Sequence, residues 1–123
     1  MSPSGFAPAI TAAFQRRVLR APDEETLQRA IAATFEEASI PFEREVRLGP
    51  RARIDFLVDG VIGLEVKIEG QANDVLRQLA RYAECPRIES LFLVTTRLTL
   101  ALMMPREIGG KPLCPIALNA GVR

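Results

Sequence analysis

Core-type positions recur at three and four from Leu27 through Ala30, Ile31, Thr34 and Phe35 to Ala38, which predicts a helix with one buried face. Pro22 and Asp23 mark its start, the acidic Asp23, Glu24 and Glu25 suit its positive end, and Pro41 stops it. From Phe42 to Leu48 the period drops to two, the signature of a strand, and Gly49 with Pro50 turns the chain. Two further strands, Arg53 to Val58 and Val61 to Ile68, are rich in branched residues and meet at Asp59 and Gly60, a strong hairpin signal. Gly70 to Asp74 breaks the pattern and offers caps. Val75, Leu76, Leu79 and Ala83 then give a second helix, ended by Pro86. Ser90 to Thr95 is a short apolar run suited to a central strand buried on both faces.

The two ends of the chain are less sharply patterned. Residues 1 to 10, with Pro3, Gly5 and Pro8, read as a loose arm before a short helix from Ile10 to Leu19 that carries Arg16, Arg17 and Arg20. Leu98 to Met104 fits helix or strand, Ile108 to Lys111 a turn, and Leu113 to Leu118 a last strand. Each helix has one apolar face to bury, so an α/β chain of the α+β type is expected, with a mixed central β-sheet flanked by helices. A length of 123 residues gives one domain. Its expected parts are an arm and short helix at 1–21, a core at 22–96 and a C-terminal extension at 97–123.

Composition narrows the chemistry. With 48% hydrophobic and 25% charged residues the chain has the balance of a globular protein. No apolar run is long enough to cross a bilayer and no secretory leader is recognisable, so a soluble, cytoplasmic protein without a membrane partner is expected. The absence of histidine excludes Ser-His-Asp and Cys-His catalysis and imidazole metal sites within the chain. Cys85 and Cys114 are too few for a structural zinc site and read as incidental thiols. A net charge of +1 argues against a nonspecific nucleic-acid coat protein but leaves local patches open. Of the 16 basic residues only Lys67 and Lys111 are lysines, which draws attention to where they stand. Lys111 is read as structural.

Alternation along Gly63 to Ile68 places Leu64, Val66 and Ile68 on one face and Glu65 with Lys67 on the other. Charges in a strand otherwise made of core residues need a partner or a metal. Asp55 interrupts the preceding strand in the same way. With a two-residue loop at Asp59 and Gly60, Asp55 would fall opposite Leu64. With a three-residue loop, Asp59 to Val61, Asp55 faces Glu65 and Arg53 faces Lys67. We expect the second register, in which opposed carboxylates call for a hard cation such as Mg²⁺ or Mn²⁺ between them. Glu24, on the buried stripe of the first long helix beside Leu27 and Ile31, is preferred over Glu25 as a third acid.

An Asp in one strand, nine residues, then Glu-x-Lys in the next, with a Glu-bearing helix before and another helix after, resembles the PD-(D/E)XK nuclease superfamily. The residues that match are Asp55, Glu65 and Lys67, with Glu24 as the helical acid. Gln78 and Tyr82 are similar to the Gln-x-x-x-Tyr spacing of its exonuclease-like branch. The likeness spans about residues 23 to 96, and Ile54 stands where the motif often has proline. It implies a restriction-endonuclease-like αβββαβ core and Mg²⁺- or Mn²⁺-dependent hydrolysis of DNA. Asp55, Glu65 and Glu24 would be metal ligands and Lys67 a water-orienting amine. Gln78, Tyr82, Arg53 and Arg81 would contact substrate, with Arg77 and the arm arginines as further backbone contacts.

Arg44, Arg47 and Arg51 read as solvated charge balanced by Glu43 and Glu45. A chain of this size offers one site, so cutting both strands of a duplex would require a homodimer or successive nicks. The competing function is a module of the same fold that no longer cuts and instead binds nucleic acid or a protein.

Overall fold

A computed structural model describes residues 5–15, 19 and 23–118. The expected sites Arg16, Arg17 and Arg20 lie outside the described residues. In chain order the elements are α1 (Phe6–Gln15), α2 (Glu24–Glu37), β1 (Phe42–Gly49), β2 (Ala52–Val58), β3 (Ile62–Val66), α3 (Ala72–Ala83), β4 (Ser90–Thr95), α4 (Leu98–Leu102), β5 (Glu107–Ile108) and β6 (Lys111–Ala117). One six-stranded sheet runs β1-β2-β3-β4-β6-β5. The meander β1-β2-β3 is antiparallel, whereas β3, β4 and β6 are parallel, so the sheet is mixed and β4 is interior as its continuous apolar run requires. Among the described residues no helix is long and apolar enough to cross a membrane.

The local signals explain most boundaries. Asp23 caps α2, its Oδ1 accepting from Thr26 N–H at 2.8 Å. At the other end Ser39 turns left-handed at φ 59°, Ile40 N–H reaches back to the Phe35 carbonyl, and Pro41 follows. α1 begins at Phe6, ahead of the expected Ile10, because Pro8 falls in a first turn, where its missing N–H has no partner to lose. Residues expected as a loose arm therefore pack. In the tail, Leu98–Leu102 is helical, and Gly109 and Gly110, both at positive φ, close a tight hairpin between β5 and β6. The expected extension thus supplies a strand of the main sheet.

Two apolar layers sandwich the sheet. On one face α1 and α2 bring Ile10, Phe14, Leu27, Ile31 and Phe35 against Phe56, Val58, Leu64 and Val94. Phe35 is the hub of an aromatic group, with ring centroids 5.6 to 5.8 Å from Phe14, Phe42 and Phe56. On the other face α3 and α4 bring Val75, Leu79, Tyr82 and Leu100 against Ile54, Leu57, Leu91 and Leu93.

The strands change faces at one level. Ile54 and Phe56 are two residues apart, yet Ile54 packs on the α3 side and Phe56 on the α2 side. Across from them Phe42 packs on the α2 side, Arg44 lies over the Phe56 ring, and Val46 and Leu48 pack on the α3 side. Register is kept from Arg44↔Phe56 to Val46↔Ile54, which leaves Glu45 beside Asp55 at the kink, and Glu45 takes φ 53°. A left-handed non-glycine residue in a strand is strained.

Candidate active site

The β2–β3 turn decides the site. Asp59 and Gly60 both adopt positive φ, Val61 N–H bonds the Val58 carbonyl, and Val58 pairs with Ile62, so the loop is the three-residue form. Every odd position of β3 then moves to the α3 side, and Asp55 and Glu65 meet as the register demands. Pairing runs from Val58↔Ile62 to Phe56↔Leu64 and there the backbone ladder stops. Below it the carboxylates take over. Asp55 N–H donates to Glu65 Oε1 at 3.2 Å, and Val66 N–H donates to Asp55 Oδ2 at 2.8 Å. Each acid satisfies a peptide N–H of the opposite strand, holding the hairpin open around a pair of facing carboxyl groups.

Lys67 does not pair with Arg53 as expected. Past the carboxylates β3 leaves β2, and Lys67 N–H bonds the Val94 carbonyl beyond β4's last pair with β3. Its ammonium stands 3.9 Å from Glu65 Oε2 with a quarter of the side chain exposed, so carboxylate and amine share a face as alternation predicts. Glu24 comes in from the first turn of α2, its Oε2 accepting from Ile68 N–H at 3.1 Å. Glu25 faces away and pairs with Arg29. Of the two acids at the helix start, Glu24 is the one that reaches the β3 end.

Burial makes this cluster electrostatically tense. Glu65 is only 3% exposed. Desolvation first, and the neighbouring Asp55 charge second, push its carboxyl up to about 8, with Lys67 opposing. Asp55 is raised too, chiefly by desolvation, with Val66 N–H pulling the other way and Glu24 adding repulsion. Two hard carboxylate donors whose charges are each penalised suit a divalent cation, which would restore the ionised form of both. Among the described residues no three His, Cys, Asp or Glu side chains gather closely enough to cage a metal by themselves. One or two carboxylates completed by water and phosphate oxygens are, however, the usual Mg²⁺ arrangement. Asp55 and Glu65 fit that donor set, with Glu24 beside them.

The remaining expected contacts separate. Tyr82 is 1% exposed, and its hydroxyl accepts from Gln78 Nε2 at 2.8 Å and donates to the Arg53 carbonyl at 2.9 Å. Burial and the nearby Glu65 charge raise the phenol, so it stays protonated. The Gln-x-x-x-Tyr pair thus supports β2 from within. Arg77 is paired with Asp74 on the exposed side of α3. Arg81 lies on the last turn of α3, where it lines a cavity of about 440 Å³ with Leu48, Arg51 and Cys85. It is grouped with the β1–β2 turn.

Arg44 differs from its reading as solvated charge. Its Nη2 donates to Gln28 Oε1 at 2.9 Å, its guanidinium sits 5.4 Å above the centre of the Phe56 ring, and its Nε is buried without a partner. The signal was present in the sequence, since Arg44 shares its strand parity with Phe42. Gln28, one turn beyond Glu24, is buried at the same contact.

The chain matches no family model, no curated protein and no solved structure.

Proposed function

We propose that the protein is a metal-dependent deoxyribonuclease that hydrolyses phosphodiester bonds at the open end of the β2–β3 hairpin. The observation that carries this reading is the meeting of Asp55 and Glu65 across that gap, with the Lys67 ammonium 3.9 Å from Glu65. Asp55 and Glu65 would hold Mg²⁺ or Mn²⁺, with Glu24 adjacent. When bound, such a cation neutralises phosphate charge and stabilises the leaving oxygen. Lys67 orients the attacking water and offsets charge on the phosphate, a task suited to a compact point charge on a flexible stem. Glu65 anchors that amine, while Gln78 and Tyr82 fix β2 behind the acids.

The second reading, a module that binds nucleic acid or a protein without cutting, draws on the net charge of +1, which supplies no global attraction to a polyanion. Incubating the protein with plasmid, single-stranded and branched DNA in Mg²⁺ or EDTA separates the two. The nuclease reading expects cleavage in Mg²⁺ alone, lost in Asp55→Ala and in Lys67→Ala. Cleavage that persists in both variants would place the activity elsewhere. Binding without cleavage of any substrate would favour the second reading.

A further inference from the structure

Below the kink, β1 and β2 continue as a two-stranded arm past the acids. There Arg47 and Arg53 are direct cross-strand partners. Directly opposed residues share a face, and like charges so placed weaken a strand pair. Their neighbours Val46, Leu48, Ala52 and Ile54 all pack on the α3 side, so the two arginines share the opposite, solvent-facing side. Among the described residues neither has an acidic partner within ion-pair reach. Arg47 is held by the carbonyls of Gly49 and Pro50 in its own turn. The Arg53 backbone is fixed by Tyr82 from behind. Two exposed arginines therefore occupy paired positions on one face of the strand pair, and among the described residues no acidic side chain forms an ion pair with either.

We propose that Arg47 and Arg53 form a phosphate clamp that grips the nucleic-acid strand flanking the bond to be cut. The identity of the ligand rests on the nuclease reading above. The guanidinium fork matches phosphate oxygens. Arg53 lies two residues from Asp55, about 7 Å along the strand at ~3.4 Å per residue. Neighbouring phosphates of one strand lie at roughly the same separation along the backbone, so the clamp meets a phosphate about one step from the reacting one. A clamp of this chemistry holds the backbone and reads no base, so these two contacts bind nucleic acid of any sequence alike. Arg47, read from sequence as balanced surface charge, becomes a substrate contact because the kink removes it from the side where Glu43 and Glu45 would balance it.

The test is fluorescence anisotropy of a labelled duplex and its single strand, in EDTA, with full-length Asp55→Asn protein so that nothing is cut. Arg47→Gln and Arg53→Gln are added singly and together, with Arg87→Gln as the control. Over roughly 50 to 200 mM salt, each clamp substitution should weaken binding several-fold and flatten the slope of log K against log salt by about 0.9 on duplex and about 0.7 on single strands. The double variant should lose about twice as much. Arg87→Gln should change nothing. Melting temperatures of the clamp variants should be unchanged or higher, since a repulsion is removed, whereas a structural role would lower them. No DNA binding, or affinity and slope indifferent to both arginines, overturns the clamp. If wild type fails to cleave while binding still depends on Arg47 and Arg53, the nuclease reading falls and the clamp stands. Cleavage with neutral arginines gives the reverse.

Discussion

The two ends of one hairpin behave as opposites. Near the turn, β2 and β3 are fully paired from Val58↔Ile62 to Phe56↔Leu64, with Phe56 packed beneath the ring of Phe35 and a three-residue loop whose φ values suit its residues. At the other end the ladder stops, two acids replace backbone carbonyls as acceptors, and the strained Glu45 stands opposite. A few residues of the same strands thus separate the part that holds the fold from the part that holds the charges. Packing and buried charge occupy adjacent segments, and the aromatic end offsets the strain of the acidic end.

The contrast breaks most completely at Phe35. Phe35→Ala leaves Phe14, Phe42 and Phe56 around a void, and chemical denaturation should show a loss of about 3–5 kcal/mol in unfolding free energy. At the acidic end the sign reverses. Glu65 holds its proton up to about 8 in the folded chain, against an ordinary value of 4.5, so the folded state binds more protons than the unfolded one between those limits. Wild-type stability should therefore fall by on the order of a few kcal/mol as pH rises from about 5 to 8. Melting curves of Glu65→Gln should be flatter over that range and higher at pH 8. Mg²⁺ should raise the melting temperature of the wild type at pH 8 and leave the variant unmoved.

Smaller effects sharpen the same contrast. Gly60, at φ 72° in the turn, accepts a side chain poorly, so Gly60→Ala should cost about 1 kcal/mol in a urea titration. Glu45→Gly should do the opposite. Relief of a left-handed residue worth about 1–2 kcal/mol is partly cancelled by the roughly 0.5–1 kcal/mol of glycine's added freedom, leaving a net gain of at most about 1.5 kcal/mol. A loss on Glu45→Gly would mean that the kink is not strained.

Much of this is legible in the residues alone. The α2 stripe, the Asp23 cap, the alternation of β1 and the continuous run of β4 are local signals of period and capping, and they fix the mixed sheet with flanking helices. The opposition of Asp55 and Glu65 was also readable, because loop length alone sets hairpin register. Three features were not. The failure of Arg53 to meet Lys67 depends on side-chain carboxylates displacing a ladder, which no alternation pattern encodes. The burial of the Tyr82 hydroxyl against Arg53 depends on how α3 seats across the sheet. The pairing of Arg47 with Arg53 depends on a register shift between Arg47 and Gly49, since the turn at Gly49 and Pro50 alone would set Arg47 against Ile54, and its exposed face follows from the kink at Glu45, where nothing in the residue type announces positive φ.

The central claim is that Asp55 and Glu65 share one divalent ion. Electron paramagnetic resonance of free Mn²⁺, titrated with protein at pH 8, tests it most directly. The account predicts a single site in the wild type, weakened about tenfold or more by either Asp55→Asn or Glu65→Gln and untouched by Arg47→Gln. Equal binding in all four proteins, or no binding in the wild type, would contradict it.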